Sequence, residues 1–518
     1  MKKLFTAAAL FTIAICALAQ LPEVKIFPES TVGKNIATQE DIKAKEYIFP
    51  ERIYDVHIDT VSQSIVVQLL GLRSNGLQLK NRGELLVYDM VGEKVKWSKK
   101  IAYQNSRIYS FGSTVIHKKT GINNKINSLD IETGKKQWKA VNSLSLINHD
   151  TQTGIGYKQP GGYSNTVEGI NLQTGKTLWQ REINREYGWD DVFQLNDSVW
   201  MIVAAGLHTV NDHDGSGWTH HAITGKKDYT AAIAVNAAGA VLGLLTGTFV
   251  FTTGHDMVTG IHSNVYSDSA GYYFASKEKL SRIRKNEGGD FWYNLLPPDS
   301  TAKSSIFAKA DTLYMINHGY AFMNGRQICF GVPFFAAFDR NSGWRLFYHP
   351  FDGYKKNPVL DFKIENNSVL LVFKDRIMKR SLTDGSLLLE KLIDNAEFGE
   401  LQFMAANRVY IDAGNPAMTN LLLSDTTKNF IFSTKEKVLM FDAELNITGS
   451  IDKNQLCAVY KTAGDYKFVM KDSRTIVMDA GNRKVVEINT KRPVFTLGNK
   501  LYAMSENTLF EIDMTDIY

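Results

Sequence analysis

Three tryptophans, Trp97, Trp138 and Trp179, stand 41 residues apart, and each closes a copy of the same short phrase. The first copy runs Leu86-Val87-Tyr88-Asp89 to Gly92 and on to Trp97. The second is Leu129-Asp130-Ile131-Glu132-Thr133-Gly134 followed by Lys135-Lys136-Gln137-Trp138. The third is Ile170-Asn171-Leu172-Gln173-Thr174-Gly175 followed by Lys176-Thr177-Leu178-Trp179. A looser fourth copy, Asn211 to Gly217, ends at Trp218, and degraded copies follow at Phe338–Gly343, Ser381–Gly385, Phe441–Asn446 and Ile488–Thr490. A period near forty residues marks a unit that cannot bury both its faces alone, so neighbouring copies must cover them.

Each copy has a physical reading. The alternating run before the Asp is a half-buried strand. Asp89, Asp130 or Asn171 can bond its own downstream backbone and open a turn, and Gly92, Gly134 or Gly175 supplies conformational freedom to close it. A second strand then presents a tryptophan large enough to fill the gap between adjacent sheets. About forty residues hold roughly four short strands of this kind. Radial stacking of such sheets leaves few exposed edges and predicts an all-β propeller of four-stranded antiparallel blades, seven or eight in number with eight favoured. The C-terminal run Leu501–Asp513 is expected to close the ring against an N-terminal strand near Ile65–Leu70.

The pattern Leu-Asp-x-x-Thr-Gly-Lys-x-x-Trp, best seen at Leu129 to Trp138, resembles the repeat of the pyrroloquinoline-quinone-like (quinoprotein-like) β-propellers. Ser263–Asp268 followed by Tyr272–Ser276 is similar to the opening strands of such a blade. The resemblance is strongest from Asp89 to Trp179 and fades after about residue 300. For enzymes of that family it implies a quinone and a calcium ion at the ring axis with an aspartate as base. Many carry a disulfide between adjacent cysteines, and some a Cys-x-x-Cys-His haem segment. This chain has neither motif and no aspartate that can be matched to the base, so no family catalytic residue is carried over, and pyrroloquinoline quinone or calcium stands only as an alternative.

The opening residues read as an export signal: Lys2 and Lys3, an apolar run from Leu4 to Leu18, then Ala17-Leu18-Ala19 as a cleavage site. Residues 1–19 are thus expected to be removed, with 20–50 an N-terminal extension and 51–518 the propeller. The location implied is periplasmic or extracellular. Cys329 and Cys457 would remain, either as free thiols or as a pair. The net charge of +5 is spread among 59 basic and 54 acidic residues, which is not the dense basic stripe of a nucleic-acid protein.

One segment breaks the pattern. Tyr229 to Gly254 holds no charged residue, and Gly239, Gly243 and Gly247 share one helical face at the spacing used for close helix packing in membranes. The insertion, about 222–258, reads as a packed excursion, a membrane- or partner-contacting element, or a spanning helix. His208, His213, His220, His221, His255 and His262 gather around it, but no pair has the one-turn spacing of a helical metal site. Asp212-His213-Asp214-Gly215-Ser216-Gly217 matches the front half of a calcium loop but has Ile223 where a bidentate Glu belongs. No nucleophile elbow or phosphate-cradling loop is present. The sequence therefore predicts an exported, non-enzymatic binding or scaffold propeller of the cell envelope that meets another envelope protein or a peptide. A quinone-dependent oxidoreductase and a carbohydrate-binding or carbohydrate-active propeller are the alternatives.

Overall fold

The computed structural model describes residues 21–517 except 77, 103–105, 120–124, 159–163, 229–255, 405–408, 413, 415, 421–429 and 491. The expected signal segment and the three glycines Gly239, Gly243 and Gly247 lie outside the described residues.

Eight four-stranded antiparallel blades follow one another along the chain, at 52–101, 106–140, 146–182, 189–221, 266–295, 304–350, 361–392 and 401–452. Two more belong to an eleven-stranded sheet: a ninth at 456–489, and a tenth made of Phe495–Leu497, Lys500–Ser505 and Thr508–Asp513 with the N-terminal strand Asp41–Ile48 as its fourth member. The architecture is the expected propeller, and the described residues form ten blades rather than seven or eight. The count was obscured because blades 4 to 10 carry insertions or lack the Asp-x-x-Thr-Gly phrase.

Each seam between blades is a separate small core. Val66, Val87 and Trp97 of the first blade meet Ile108, Val115 and Leu129 of the second. The pattern repeats around the ring to the ninth and tenth, where Phe468, Val477 and Val486 meet Leu501, Ala503 and Ile512. Tyr502 and Leu509 of the tenth blade then pack with Ile65, Val67 and Leu69 of the first, which closes the circle. The tail thus packs on Ile65–Leu70 as a neighbouring blade, while its pairing partner is Asp41–Ile48, Lys45 opposite Glu511 and Ile48 opposite Thr508. The hairpin Lys25–Asn35 with Asp41–Ile48 also touches the fourth strand of blade 9, Gly33 opposite Ile488, and so straps blades 9 and 10 together. Deleting residues 21–49 is expected to uncover Tyr502 and Leu509 and open the ring. Limited proteolysis checks this, with early cleavage in residues 490–517 as the expected result.

A repeated device holds the seams of the first six blades. Trp97 Nε1 donates to Ile131 O of the next blade at 2.8 Å, Trp138 Nε1 to Leu172 O at 3.1 Å, and Trp179 Nε1 to Asp212 O at 2.8 Å. Trp218 reaches Lys285 O at 2.5 Å, and Trp292, which the repeat reading did not single out, reaches Arg340 O at 3.1 Å. Each ring lies flat on the glycine of the neighbour's turn. A Cβ on Gly134 (φ +66°) would come within 2.6 Å of Trp97, and one on Gly175 (φ +70°) within 2.5 Å of Trp138, so both the left-handed backbone and the ring demand glycine. The turns open as drawn from sequence: Asp89 Oδ1 accepts from the N–H of Gly92 at 3.0 Å, Asp130 Oδ1 from Thr133 at 2.8 Å, and Asn171 Oδ1 from Thr174 at 2.8 Å. In the first blade Glu93, not Gly92, takes the left-handed φ, at +49°. Just beyond each turn the third and fourth strands slip by one residue, as between Val87 and Tyr88 or between Gly169 and Ile170. Such a bulge sharpens the local twist.

Candidate functional site at the covered mouth of the ring

The tryptophan–glycine turns occupy one mouth of the ring. At the other mouth run the links between blades and the turns between second and third strands. A small extra sheet lies there, in the order Lys226–Asp228, Asp256–Thr259, Tyr320–Met323, Arg326–Cys329. Its first two strands flank residues 229–255 and pair antiparallel, Lys226 opposite Val258. The other two are a hairpin inserted between the second and third strands of blade 6. Val258 and Ile261 bury against Ala321 of the hairpin, with Met323, Ile328 and Phe330 alongside. Lys227 Nζ holds Glu186 of the link between blades 3 and 4 at 2.6 Å.

An open cleft of about 340 Å³ lies on each side of this cover. The first is bounded by Met257 and Thr259 of the cover and by Tyr157, Arg185, Tyr187 and Trp189 of blades 3 and 4. Tyr157 is its buried floor: the Arg185 guanidinium stands 4.2 Å above the tyrosine ring and the Trp189 indole meets it edge-on at 5.1 Å. A guanidinium beside aromatic faces suits backbone carbonyls, carboxylates and flat groups. The second cleft sets Gln327, Ile328 and Cys329 of the cover against the links of blades 7 and 8, with Lys374 on its wall and Lys435 paired to Glu400 at 2.8 Å.

At the start of the strand Trp189–Gln194, Trp189 packs on Tyr157 of blade 3, while Asp190, in the bulge between Trp189 and Asp191, faces His262 just before blade 5. His262 Nε2 stands 3.6 Å from Asp190 Oδ2, and its Nδ1 bonds Ser263 O at 2.7 Å. Burial lifts the Asp190 carboxyl to about 6, opposed by the Lys303 ammonium, and burial pushes the His262 imidazole down to about 4. Lys303 is itself lowered by burial and drawn back up by Asp190 and Asp191. His318, directly after the second strand of blade 6, is held near 4 by burial, with Nδ1 bonded to Val359 O at 3.0 Å and Nε2 to the Ser305 hydroxyl at 2.8 Å. Blades 4, 5 and 6 therefore share a row of buried polar groups beneath the cover, in which His262 and His318 are neutral while the Asp190 carboxylate faces the Lys303 ammonium at neutral pH. Its chemistry is that of a rigid polar seam.

The residues singled out from sequence are placed as follows. Asp89, Asp130 and Asn171 sit at turn openings, while Trp97, Trp138, Trp179 and Trp218 lie on the seams of the opposite mouth. His208 and His220 are buried on different flanks of blade 4, His208 against Thr219 Oγ1 at 3.1 Å and His220 against Gly288 O at 3.1 Å. Among the described residues no three His, Cys, Asp or Glu side chains gather at metal-binding distance. The calcium-like stretch is an ordinary repeat turn, whose Asp212 accepts from Asn148 Nδ2 at 2.6 Å and Thr151 Oγ1 at 2.9 Å of blade 3. Cys329 is exposed, Cys457 is buried, and each is a free thiol. Among the described residues no helix is long and apolar enough to cross a membrane. Arg185, Trp189, Asp190 and Lys303 escaped the sequence reading because blade links share no motif; the one available signal was a charged residue at the start of an apolar strand.

No protein-family model and no curated protein matches the chain. Among solved structures the chain is similar to BamB from Moraxella catarrhalis, with a TM-score of 0.31 and 12% identity over 80% of this chain and 98% of that one. It is also similar to the quinohemoprotein alcohol dehydrogenase ADHIIG from Pseudomonas putida HK5, with a TM-score of 0.30 and 9% identity over 74% and 71% of the two chains. A europium-containing methanol dehydrogenase aligns with a TM-score of 0.26 and 10% identity over 71% and 77%. All three are PQQ-like β-propeller proteins. At these values the likenesses carry no argument about function.

Proposed function

We propose that the chain is a non-enzymatic binding or scaffold propeller of the cell envelope that takes an extended segment of another envelope protein into the cleft beside the cover. The observation that carries this reading is the array of Arg185 over Tyr157 with Trp189 edge-on, at the side of a pinned cover sheet. Aromatic and arginine side chains held rigid by their neighbours are what peptide-binding hot spots use, because little side-chain freedom is lost on binding. Envelope placement is supported by Lys2, Lys3, the apolar run to Leu18 and Ala17-Leu18-Ala19.

The test is a photo-crosslinking residue at Tyr187 in the exported chain. Adducts with envelope proteins are expected, and Arg185→Ala should cut their yield about tenfold, the effect of losing one hot-spot contact. Unchanged adducts in the Arg185→Ala protein would remove the cleft from consideration. Titration with pyrroloquinoline quinone and calcium, followed by dye-linked alcohol oxidation, is the counter-test, and turnover there would replace this reading with the oxidoreductase one. Glycan-array binding that depended on Trp189 would replace it with a carbohydrate-binding one.

A further inference from the structure

The outermost strand of a propeller blade is an edge, with one row of backbone N–H and C=O groups unpaired. Proteins commonly blunt such edges with lysine. Blades 1 and 2 do so. On either side of the seam tryptophan, blade 1 carries Lys96 and Ser98 and then Lys100, and blade 2 carries Gln137 and Lys139. In the same register blade 5 carries Phe291 and Tyr293 on either side of Trp292 and then Leu295, which are 48%, 58% and 67% exposed. Their strand, Asp290–Leu295, is the last of its sheet, and no other strand among the described residues pairs with it. Exposure alternates along the strand, with Phe291, Tyr293 and Leu295 outward and Trp292 and Asn294 inward against blade 6, and the bulge between Asp290 and Trp292 lies at its start.

The surroundings of this edge have a definite charge. From Lys277 to Leu295 the chain holds five cations and three anions. Lys279 is neutralised by Asp290 at 2.7 Å and Arg284 by Glu287 at 2.8 Å. Arg282 and Lys285 form no ion pair among the described residues: the Arg282 guanidinium stands 5.0 Å over the Phe291 ring and Lys285 Nζ 5.1 Å over the Tyr272 ring. The edge is thus apolar, open along its outer side and flanked by a net positive charge, in which Arg282 is partly balanced by Asp268 and Lys285 is not paired among the described residues.

We propose that the strand Asp290–Leu295 is a docking edge for an extended acidic segment of a partner protein, which adds to blade 5 as a fifth strand. Backbone hydrogen bonds to the free edge supply affinity. Apolar side chains at alternate positions of the partner lie across from Phe291, Tyr293 and Leu295. Carboxylates at the end of the segment that lies beside Phe291 meet Arg282 and Lys285. This surface is distinct from the cleft at Arg185 and stands without it.

The probe is a fluorescent peptide of alternating valine and threonine capped at both ends by glutamates, with a lysine-capped twin and a version N-methylated at alternate residues as controls. The glutamate-capped peptide is expected to bind about tenfold more tightly than the lysine-capped one, and N-methylation should abolish binding. Tyr293→Lys with Leu295→Lys should reduce affinity at least about tenfold with an unchanged melt, because both side chains are exposed; the uncharged pair Tyr293→Thr with Leu295→Thr serves as a second variant. Arg185→Ala should leave peptide binding unchanged, which separates this edge from the mouth. Equal binding of the two capped peptides, or binding indifferent to both edge variants, overturns the proposal. So does concentration-dependent dimerisation abolished by the lysine pair, since that assigns the edge to a second copy of the chain.

Discussion

Trp179→Ala is expected to destabilise the protein by ~3–5 kcal/mol, the range for truncating a buried tryptophan. The ring is 7% exposed and packs among Tyr157, Val167, Ile183, Ile202 and Val210 on the seam of blades 3 and 4. Its loss also leaves Asp212 O, which now accepts from Nε1 at 2.8 Å, without that donor. Trp179→Phe separates the two effects: it keeps most of the apolar area and loses the hydrogen bond, for a cost of about 1–3 kcal/mol if the carbonyl stays dry. The control is Trp344→Ala. Trp344 is 75% exposed, and its loss is expected to stay within about 0.5 kcal/mol. Denaturant midpoints of the four proteins decide the matter. Because each blade touches only its neighbours, the damage should first appear as faster hydrogen exchange in blades 3 and 4. A Trp179→Ala protein as stable as the parent would show that the seams do not depend on their tryptophans.

Acid should unfold this protein earlier than its mixed charge suggests. Burial holds four histidines far below the ordinary imidazole value: His117, His262 and His318 near 4 and His208 near 3. Each is neutral in the folded chain and takes a proton near pH 6.5 when unfolded. The unfolded state therefore binds more protons between roughly pH 6.5 and 4, and stability falls as pH drops through that window, by about 2 kcal/mol per histidine at pH 5. Asp190 acts in the opposite sense. Its carboxyl is raised to about 6, so the folded state holds a proton that the unfolded state has released, and it returns about 1 kcal/mol at pH 5. The sum remains strongly destabilising, and a fall in Tm of roughly 5–10 °C from pH 7.5 to pH 5 is expected. His318 is the sharpest single test. Its Nδ1 bonds Val359 O and its Nε2 bonds the Ser305 hydroxyl, which donates to the ring while it is neutral, and burial is what disfavours the charged form. His318→Gln should be less stable at pH 7.5 yet lose less on acidification. A Tm that stays flat from pH 7.5 to 5 would contradict the buried-histidine account.

The two largest features of the structure differ in how they were encoded. The blade is a local object. Asp130, Gly134 and Trp138 lie within nine residues of one another, and the turn, the left-handed glycine and the ring that caps the next seam are all dictated inside that span. That is why a repeat of one phrase foretold four-stranded antiparallel sheets. Trp292 performs the same task without the phrase, since Glu287-Gly288-Gly289 precedes it in place of Thr-Gly-Lys, and so it was invisible to a pattern search although Gly343 of the next blade receives it.

What the chain could not reveal locally is anything that joins distant residues. The strand Asp41–Ile48 completes a blade whose other strands lie more than four hundred residues away, and only ring closure brings Lys45 opposite Glu511. The blade number follows from that closure and from how far each seam rotates its neighbour, quantities that are properties of the whole circle. The cover is the same case: its strand Asp256–Thr259 and its hairpin at 320–329 pair across sixty residues, and they bring Met257 to Arg185 and Cys329 to Leu401. Sequence alone determined the repeating sheet and its tryptophan seams, because strand alternation, turn chemistry and side-chain volume act over a few residues. Tertiary structure alone decided the ten-bladed circle, the covered mouth and the bare edge of blade 5, because which faces and edges stay open depends on what the rest of the chain has already covered.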